Sequence, residues 1–320
     1  MTMQHWATKR DILALLTADK FVSGEQIATA LGLTRGAVNQ HIDAMAQYGI
    51  DIYSVKGKGY QLAEPISLID ESRLLTLIDK RCFYFDDIDS TNGFLMAHAA
   101  ELNSGDVCIA EYQSKGRGRR GRTWQSPYGH HLYTSVFWRT SLTPPQLMGL
   151  SLVIGCSMVQ VLKAFGVDGL SVKWPNDIYR DGRKLAGVLV ELGANQAQGL
   201  ELVIGLGLNM NMSKAQGLKI DQPWSDLSGV ENQIDKTMLM GQLHQQICED
   251  IEHFERTGLV DFIARWNQDD QFMGKAVTLI MAPNEVYGTY CGIDKDGAVM
   301  LNTAQGKQSY IGGEISLRAD

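Results

Sequence analysis

Residues 116–122 read Gly-Arg-Gly-Arg-Arg-Gly-Arg, four arginines and three glycines in seven positions in the interior of a 320-residue chain. Glycine weakens helix and strand alike, so this run is a loop that flanking elements must carry. Exposed backbone N–H groups and guanidinium forks in such a loop converge on phosphate or carboxylate oxygens. Four like charges this close repel, so the loop is expected to stay mobile until an anion orders it. An exposed RG-type nucleic-acid tail has a similar composition. The place of the run between a strand-like segment and Trp124-Gln-Ser-Pro-Tyr128 favours a ligand loop.

At ~100–200 residues per domain the length implies two or three domains. Hydrophobic residues make up 44% and charged residues 20%, the balance of a globular chain. Lys plus Arg number 29 against 36 for Asp plus Glu, a net charge of −7. Such a chain does not coat nucleic acid at large, and any DNA contact has to come from a small local surface. The five cysteines (Cys82, Cys108, Cys156, Cys248, Cys291) are odd in number, far apart and never CxxC. That excludes a disulfide framework or a cysteine zinc site and suits a reducing cytoplasm. The start, MTMQHWATKR, lacks an apolar signal core. Ser151, Ser157, Gln160 and Lys163 interrupt the most apolar stretch, 150–167. A soluble cytoplasmic protein without a membrane span is expected.

Residues 1–65 read as short helices followed by a hairpin. Ile12, Leu13, Leu15 and Leu16 are spaced for one helix face. Ser23-Gly-Glu-Gln26 has the form of a capping box and predicts a helix over 25–31 that stops at Gly32. Thr34 caps a second helix over 35–46, with Val38, Ile42 and Met45 at helical spacing. Two short helices with glycine in the turn match a helix-turn-helix, and segments 51–55 and 60–62 around Lys56-Gly-Lys-Gly59 would form a wing. A plain helical hairpin shares the pattern. Lys9, Arg10, Lys20, Arg35, Lys56 and Lys58 face six acidic residues, so the segment is neutral. Gly36 inside the second helix costs ~1 kcal/mol relative to Ala. Arg35, Asn39, Gln40 and His41 are nonetheless donor-rich side chains of the kind that read base edges or phosphates. With Lys56 and Lys58 on glycine-flanked loops and Ser23 and Thr34 at the helix starts, they are the candidate DNA-binding set.

Residues 66–270 alternate strand-like and helix-like runs, the pattern of a mixed α/β domain. Strands are expected at 82–85, 107–112, 131–138, 171–174, 185–191 and 202–210, and helices at 94–102, 147–165 and 237–266. In residues 271–320 short strands at 276–281, 287–293, 298–301 and 307–311 alternate with turns, which suggests a small β-barrel. The whole is an α+β multidomain chain.

Four motifs outside the N-terminal segment carry chemistry. Beyond the arginine run, Lys173-Trp-Pro-Asn-Asp177 leads into a hairpin turning at Asp181-Gly182. A two-residue turn there pairs 179 with 184 and 177 with 186, so that Asp177 and Lys184 become diagonal neighbours on one face. Lysine beside a carboxylate can hold a phosphate while the carboxylate takes a proton or a metal ion. A surface ion pair is the other reading of the same hairpin. Gly205, Gly207 and Asn209 fall on one side of a strand, a stripe free of side chains that admits a flat ligand or marks a bulge. Its GxGxN spacing is not that of a dinucleotide fingerprint. Asp89-Ser-Thr-Asn92 precedes a helix, either as an N-cap cluster or as hydroxyls that bond a polar ring or carboxylate. His130-His131 and the pair His244 and His253 lack metal-site spacing, so no side-chain metal cluster is expected. No GxSxG or HExxH motif appears and no cysteine stands paired with a histidine, so covalent or zinc hydrolysis has no support.

DSTN, QSKGRGRRGRTW, KWPNDI, RKLAGVLVEL and GLGLN, in this order after the N-terminal helices, closely resemble the bacterial bifunctional biotin–protein ligase/biotin-operon repressor family, as does the C-terminal YIGGEISLR. The resemblance implies three domains, 1–65 a winged helix, 66–270 a biotin/lipoate-ligase-like domain and 271–320 an SH3-like β-barrel. It implies an ATP-dependent ligase that makes biotinyl-5′-AMP and passes biotin to a lysine of biotin carboxyl carrier protein, with Mg²⁺ accompanying ATP. Ser90, Thr91, Asn92, Gln113 and Gly187 would contact biotin, and the loop Gly116, Arg117, Gly118 and Arg119 would close over it. Lys184 would hold the biotin carboxylate and phosphate. Arg119, Arg122, Trp124 and Trp224 would line the adenylate site and Asn176 and Asn209 the adenylate or metal site, Asp177 taking the proton of the incoming lysine. Activation concentrates negative charge on phosphorus and needs fixed cations, which Arg117, Arg119, Arg122 and Lys184 can supply. The resemblance also implies a homodimer induced by biotinyl-AMP that sets two winged helices on a palindromic operator. A lipoate–protein ligase, a monofunctional ligase and a biotinyl-AMP-sensing repressor without ligase activity are the alternatives.

Overall fold

The computed structural model describes residues 4–196, 199–218, 220–230, 234–281, 284–311 and 315–319. Gly312, Gly313 and Glu314 of the YIGGEISLR motif lie outside the described residues.

Local chemistry sets the N-terminal elements. Helices Gln4–Leu15, Gly24–Leu31 and Arg35–Met45 precede the antiparallel strands Ile52–Val55 and Gly59–Leu62. The Ser23 hydroxyl accepts from Gln26 N while Gln26 Oε1 accepts from Ser23 N, completing the capping box. Gly32 terminates the helix in the left-handed region at φ 65°, and Thr34 caps the next helix through Ala37 N. Ile12, Leu16, Ile27, Val38, Ile42 and Met45 bury together as their core.

The centre is a seven-stranded sheet. Its spatial order is Cys82–Phe85, Val107–Ala110, His131–Thr140, Gly199–Asn209, Arg183–Gln196, Asp177–Arg180 and Leu170–Lys173. The first two strands run parallel and every other neighbouring pair is antiparallel. Side chains alternate across a strand, so the sheet has two faces. Val107, Ile109, Val136, Ile204 and Leu206 bury in the main core with helices Leu150–Ala164 and Lys236–Thr257. Cys108, Phe137 and Val203 face the other way and pack with Leu95 of the helix Thr91–Ala97.

Several expected elements differ. The single helix over 237–266 is two, Lys236–Thr257 and Val260–Asp269, parted at Gly258 with φ 69°. The helix expected over 94–102 starts earlier, at Thr91 behind the Ser90 cap, and gives way to a 3-10 turn Ala99–Glu101. The C-terminal strands form a five-stranded antiparallel sheet from Gly306–Tyr310 at one edge to Ile315–Ala319 at the other. Among the described residues no ladder joins those edges, so closure of the expected small barrel is not seen there.

The helical N-terminus is fastened to the sheet through aromatic and polar contacts. Trp6 stacks on Tyr128 with ring centroids 4.1 Å apart, and Tyr128 N donates to Tyr48 O at 2.9 Å. Arg10 donates to Tyr84 Oη, Asp86 Oδ1 and Ile69 O. Beneath them Glu111, fully buried, accepts from Ile69 N, Tyr84 Oη and, at 2.6 Å, from Lys236 Nζ. A buried charge left without its partner costs about 3–5 kcal/mol. Lys236→Met should therefore destabilise the chain by about that much in urea unfolding, and Glu111→Leu added to it should restore part of the loss. An unchanged midpoint in Lys236→Met would show that the pair does not hold the junction.

Candidate active site and nucleic-acid interface

The second face of the sheet holds the sequence motifs. In register, Tyr133, Gly207 and Gly187 form one row, Ser135, Gly205 and Leu189 the next, and Phe137, Val203 and Glu191 a third. Neither glycine is bare. A Cβ on Gly205 would come within 2.3 Å of Asn92 Oδ1, and one on Gly207 within 2.4 Å of Trp124 Cε2. The stripe expected to admit a flat ligand thus seats an amide and an indole ring from this chain.

The hairpin register differs from expectation in one place that matters. Asp177 pairs with Gly187 rather than with 186, because a bulge falls between Ile178 and Tyr179 while Tyr179 still faces Lys184. Without the bulge Asp177 would lie opposite Ala186, a residue of the main core. The extra residue re-aims Asp177 and Lys184 onto the glycine face, where Asp177 Oδ1 and Lys184 Cε both come about 3.5 Å from the position of a Gly187 Cβ. Lys184 Nζ is 2.8 Å from Asp177 Oδ1 and 5.6 Å from the Trp124 ring centroid. That contact is close in distance but not aligned as a hydrogen bond, so the carboxylate retains capacity for another donor.

The arginine loop folds back on itself. Trp124 N donates to Gly116 O and Gly118 N to Arg122 O, and a side chain on Gly116 would collide with Ser126 Oγ and Trp124 O. Arg120 turns the tip at φ 59°. Arg117 Nη2 lies 3.1 Å from Glu191 Oε2, and Arg119 Nη1 donates to Asn176 Oδ1 at 3.1 Å. Two of the four guanidiniums are therefore tied to the sheet, which offsets part of the repulsion that was expected to leave the loop mobile; Arg120 and Arg122 are exposed. Burial, with Arg120 close by, lowers the pKa of Arg119, yet a guanidinium stays charged. Lys184 and Arg119 meet Asp177 as the nearby carboxylate, a local surplus of positive charge that suits an anion.

The remaining candidates divide between contact and support. Thr91 N and Oγ1 both lie within hydrogen-bond distance of Gln113 Oε1, 2.9 and 3.1 Å. The Ser90 hydroxyl accepts from Gly93 N as the helix cap and keeps its own proton to give. Asn176 Nδ2 donates to Val188 O. Asn209 is buried and donates to Ser225 O at 3.0 Å, so it anchors the segment 223–225. That segment runs alongside Lys184, with Lys184 N donating to Pro223 O and Ser225 N to Lys184 O, and Trp224 lies over Gly217 with Nε1 donating to Gly217 O. Trp124 Nε1 is buried without an acceptor. An open cleft of about 610 Å³ adjoins, bordered by Met96, Arg117, Glu191 and Leu192. Cys248 Sγ does stand 3.7 Å from His244 Nε2, contrary to expectation. Burial pushes that thiol up to about 12 and holds the imidazole below its usual range, which suits no nucleophile.

Among the DNA candidates Arg35, Gln40, Lys56 and Lys58 are exposed and His41 is half-exposed. Asn39 bonds Asp43 Oδ2 and accepts from Tyr60 Oη, joining the helix to the hairpin. Ser23 and Thr34 are both engaged as helix caps.

Family models match in chain order. An HTH domain covers residues 8–61, the Biotin/lipoate A/B protein ligase family residues 84–209, and a Biotin protein ligase C terminal domain residues 272–318. The bifunctional ligase/repressor BirA of Escherichia coli (strain K12) is 43% identical over 309 residues, 96% of each chain. The chain belongs to the BirA family. Its catalytic part is also similar to the biotin–[acetyl-CoA-carboxylase] ligase of Paracoccus denitrificans, 26% identical over 71% of this chain and 96% of that one. A solved biotin protein ligase from Aquifex aeolicus in complex with biotin and ATP superposes with TM-score 0.64 at 27% identity, over 75% of this chain and 100% of that one.

Sequence reading of this BirA-family chain missed Glu191, Ser135 and Ser126. Glu191 ended an apolar run; alternation from Gly187 was the one signal that could have placed it on the glycine face. Lys184→Ala removes the cation beside Asp177 and should lower anhydride formation at least about 10²-fold, read as pyrophosphate release, with little change in melting temperature. Loss of stability in step with activity would assign Lys184 to the fold instead.

Proposed function

We propose that this chain is an ATP-dependent biotin–protein ligase and a biotinyl-AMP-dependent repressor. The single observation that carries the ligase half is the cation pair Lys184 and Arg119 around Asp177 on the glycine face of a BirA-family chain. A biotin carboxylate oxygen attacks the α-phosphorus of ATP, pyrophosphate leaves, and biotinyl-5′-AMP forms. Lys184 and Arg119 neutralise the charge that builds on the phosphoryl oxygens, and need no reorganisation to do so. An acceptor lysine then attacks the anhydride carbonyl, AMP leaves, and Asp177 takes the proton of the attacking amine. Neither step needs a nucleophile from the protein.

Ser90, Thr91, Asn92, Gln113, Gly187 and the loop 116–119 form the biotin side in this reading. Arg119, Arg122, Trp124, Asn176, Asn209 and Trp224 form the adenylate side. Among the described residues no group of three His, Cys, Asp or Glu is placed to hold a metal. A Mg²⁺ that accompanies ATP would then be held chiefly by phosphate and water oxygens, lowering their mutual repulsion. The acceptor is the biotin carboxyl carrier protein of acetyl-CoA carboxylase, the enzyme in the Paracoccus relative's name.

For the repressor half, residues 1–65 bind DNA through Arg35, Asn39, Gln40, His41, Lys56 and Lys58 with Ser23 and Thr34 as caps. Residues 66–270 catalyse and 271–320 pack beside them. Biotinyl-AMP drives a two-fold dimer, which requires an inverted-repeat operator. No helix among the described residues is long and apolar enough to cross a membrane, and the reading places the protein in the cytoplasm.

Incubation with biotin, MgATP and the carrier domain should add one biotin mass to one acceptor lysine. Biotinyl-AMP without transfer would leave a sensing repressor, and neither product would refute the ligase. An operator duplex from upstream of biotin-synthesis genes should shift in a gel with biotin and ATP present, and Arg35→Ala should abolish the shift while sparing ligation. No shift by the wild type in either condition would leave a monofunctional ligase.

A further inference from the structure

Behind the Thr91 hydroxyl a chain of hydrogen bonds runs to the carboxylate of Glu191. Glu191 Oε2 accepts from Asn92 Nδ2 at 2.7 Å and from Arg117 Nη2 at 3.1 Å. Asn92 Oδ1 lies 2.5 Å from Ser135 Oγ, which lies 2.7 Å from Thr91 Oγ1. Thr91, Asn92 and Ser135 are buried. Glu191 reaches them because it shares a sheet face with Gly187 and Gly205.

The protons along this chain can run in one direction only. A carboxylate has none to give, so the Asn92 amide turns its NH₂ toward Glu191 and its oxygen toward Ser135. Two oxygens 2.5 Å apart require a proton between them, and here Ser135 alone can provide it. Ser135 has no second proton, so its 2.7 Å contact with Thr91 is made with the Thr91 proton. Thr91 Oγ1 also lies 3.1 Å from Gln113 Oε1, which accepts from the Thr91 N–H at 2.9 Å, but the hydroxyl has one proton and the shorter contact with Ser135 requires it. Thr91 Oγ1 has only lone pairs left for a ligand.

We propose that Glu191 is a positioning residue whose carboxylate sets the polarity of the Asn92–Ser135–Thr91 chain, making Thr91 an obligate acceptor for the N–H of a cyclic urea. The proposal rests on the reading of Thr91 as a biotin contact, and it moves Asn92 from contact to support. In Glu191→Gln the amide oxygen can take the place of Oε2 and accept from both Asn92 and Arg117, so the polarity is kept. In Glu191→Met no acceptor holds the Asn92 NH₂; the amide is free to turn over, Ser135 can donate to Thr91, and Thr91 is no longer an obligate acceptor.

Calorimetric titration of the full chain with biotin tests this in wild type, Glu191→Met, Thr91→Val and the double variant, with melting temperatures recorded for each. Glu191→Met should weaken biotin about tenfold or more, with little further loss once Thr91 is Val, while Glu191→Gln should keep most of the affinity. Ser135→Ala interrupts the same chain at its middle and should also be non-additive with Glu191→Met, an independent probe should one variant fold poorly. Arg117→Met removes the ion pair but not the polarity, so its effect should add to that of Thr91→Val. Additive losses between Glu191→Met and Thr91→Val, or unaltered biotin affinity in Glu191→Met, would overturn the proposal and leave the biotin reading intact. A wild type that binds no biotin would overturn both.

Discussion

Two-sidedness of the central sheet governs this molecule. The strands His131–Thr140, Gly199–Asn209 and Arg183–Gln196 turn aliphatic side chains to one face, and to the other glycine, Ser135 and Glu191 beside a smaller apolar cluster with Phe137 and Val203. Burial of the first face against the helices Leu150–Ala164 and Lys236–Thr257 supplies the hydrophobic stabilisation, at roughly 25 cal/mol per Å² of apolar surface. With the register pinned in that way, a slip of one residue would exchange the faces. The glycine face is therefore as well placed as the core behind it, although glycine itself contributes little to packing.

A single bulge then assembles the charged centre. One residue more on the strand Arg183–Gln196 carries Asp177 and Lys184 from the core side to the glycine side. The arginine loop reaches the same place from another part of the chain through Arg119 on Asn176 and Arg117 on Glu191. Positive charge is concentrated on groups whose positions are fixed before a substrate arrives, the arrangement that stabilises a developing anion with least reorganisation. The helical N-terminus is bound into the same structure. Tyr48 O accepts from Tyr128 N, and Gly49 O accepts from Gln216 Nε2, so residues flanking both the arginine loop and the Trp224 segment touch the DNA-binding part directly.

Local signals were legible wherever the interaction is local. The capping box at Ser23, the Thr34 cap and the turn at Gly32 are contacts among neighbours in sequence, and they appear where the residues place them. The long apolar pattern after Thr237 was read as one helix, because the apolar spacing continues past Gly258 while the backbone does not. Four of the five C-terminal strands fall within a few residues of the expected segments, but Ile315–Ala319 was not among them; its partner Ala276–Met281 is the first strand of that sheet, a pairing across most of the segment.

By itself the sequence determined which residue types were available and in what order: an arginine-rich loop, an Asp–Lys hairpin, alternating glycines and a helix-turn-helix, enough to specify the family and its chemistry. Tertiary structure decided which of them meet. The bulge beside Tyr179, the Asn92 amide over Gly205 and the carboxylate of Glu191 between Asn92 and Arg117 join positions far apart in sequence, Asn92 and Glu191 by 99 residues. Hydrogen-bond direction and strand register are properties of pairs brought together by folding, and no spacing along the chain encodes them.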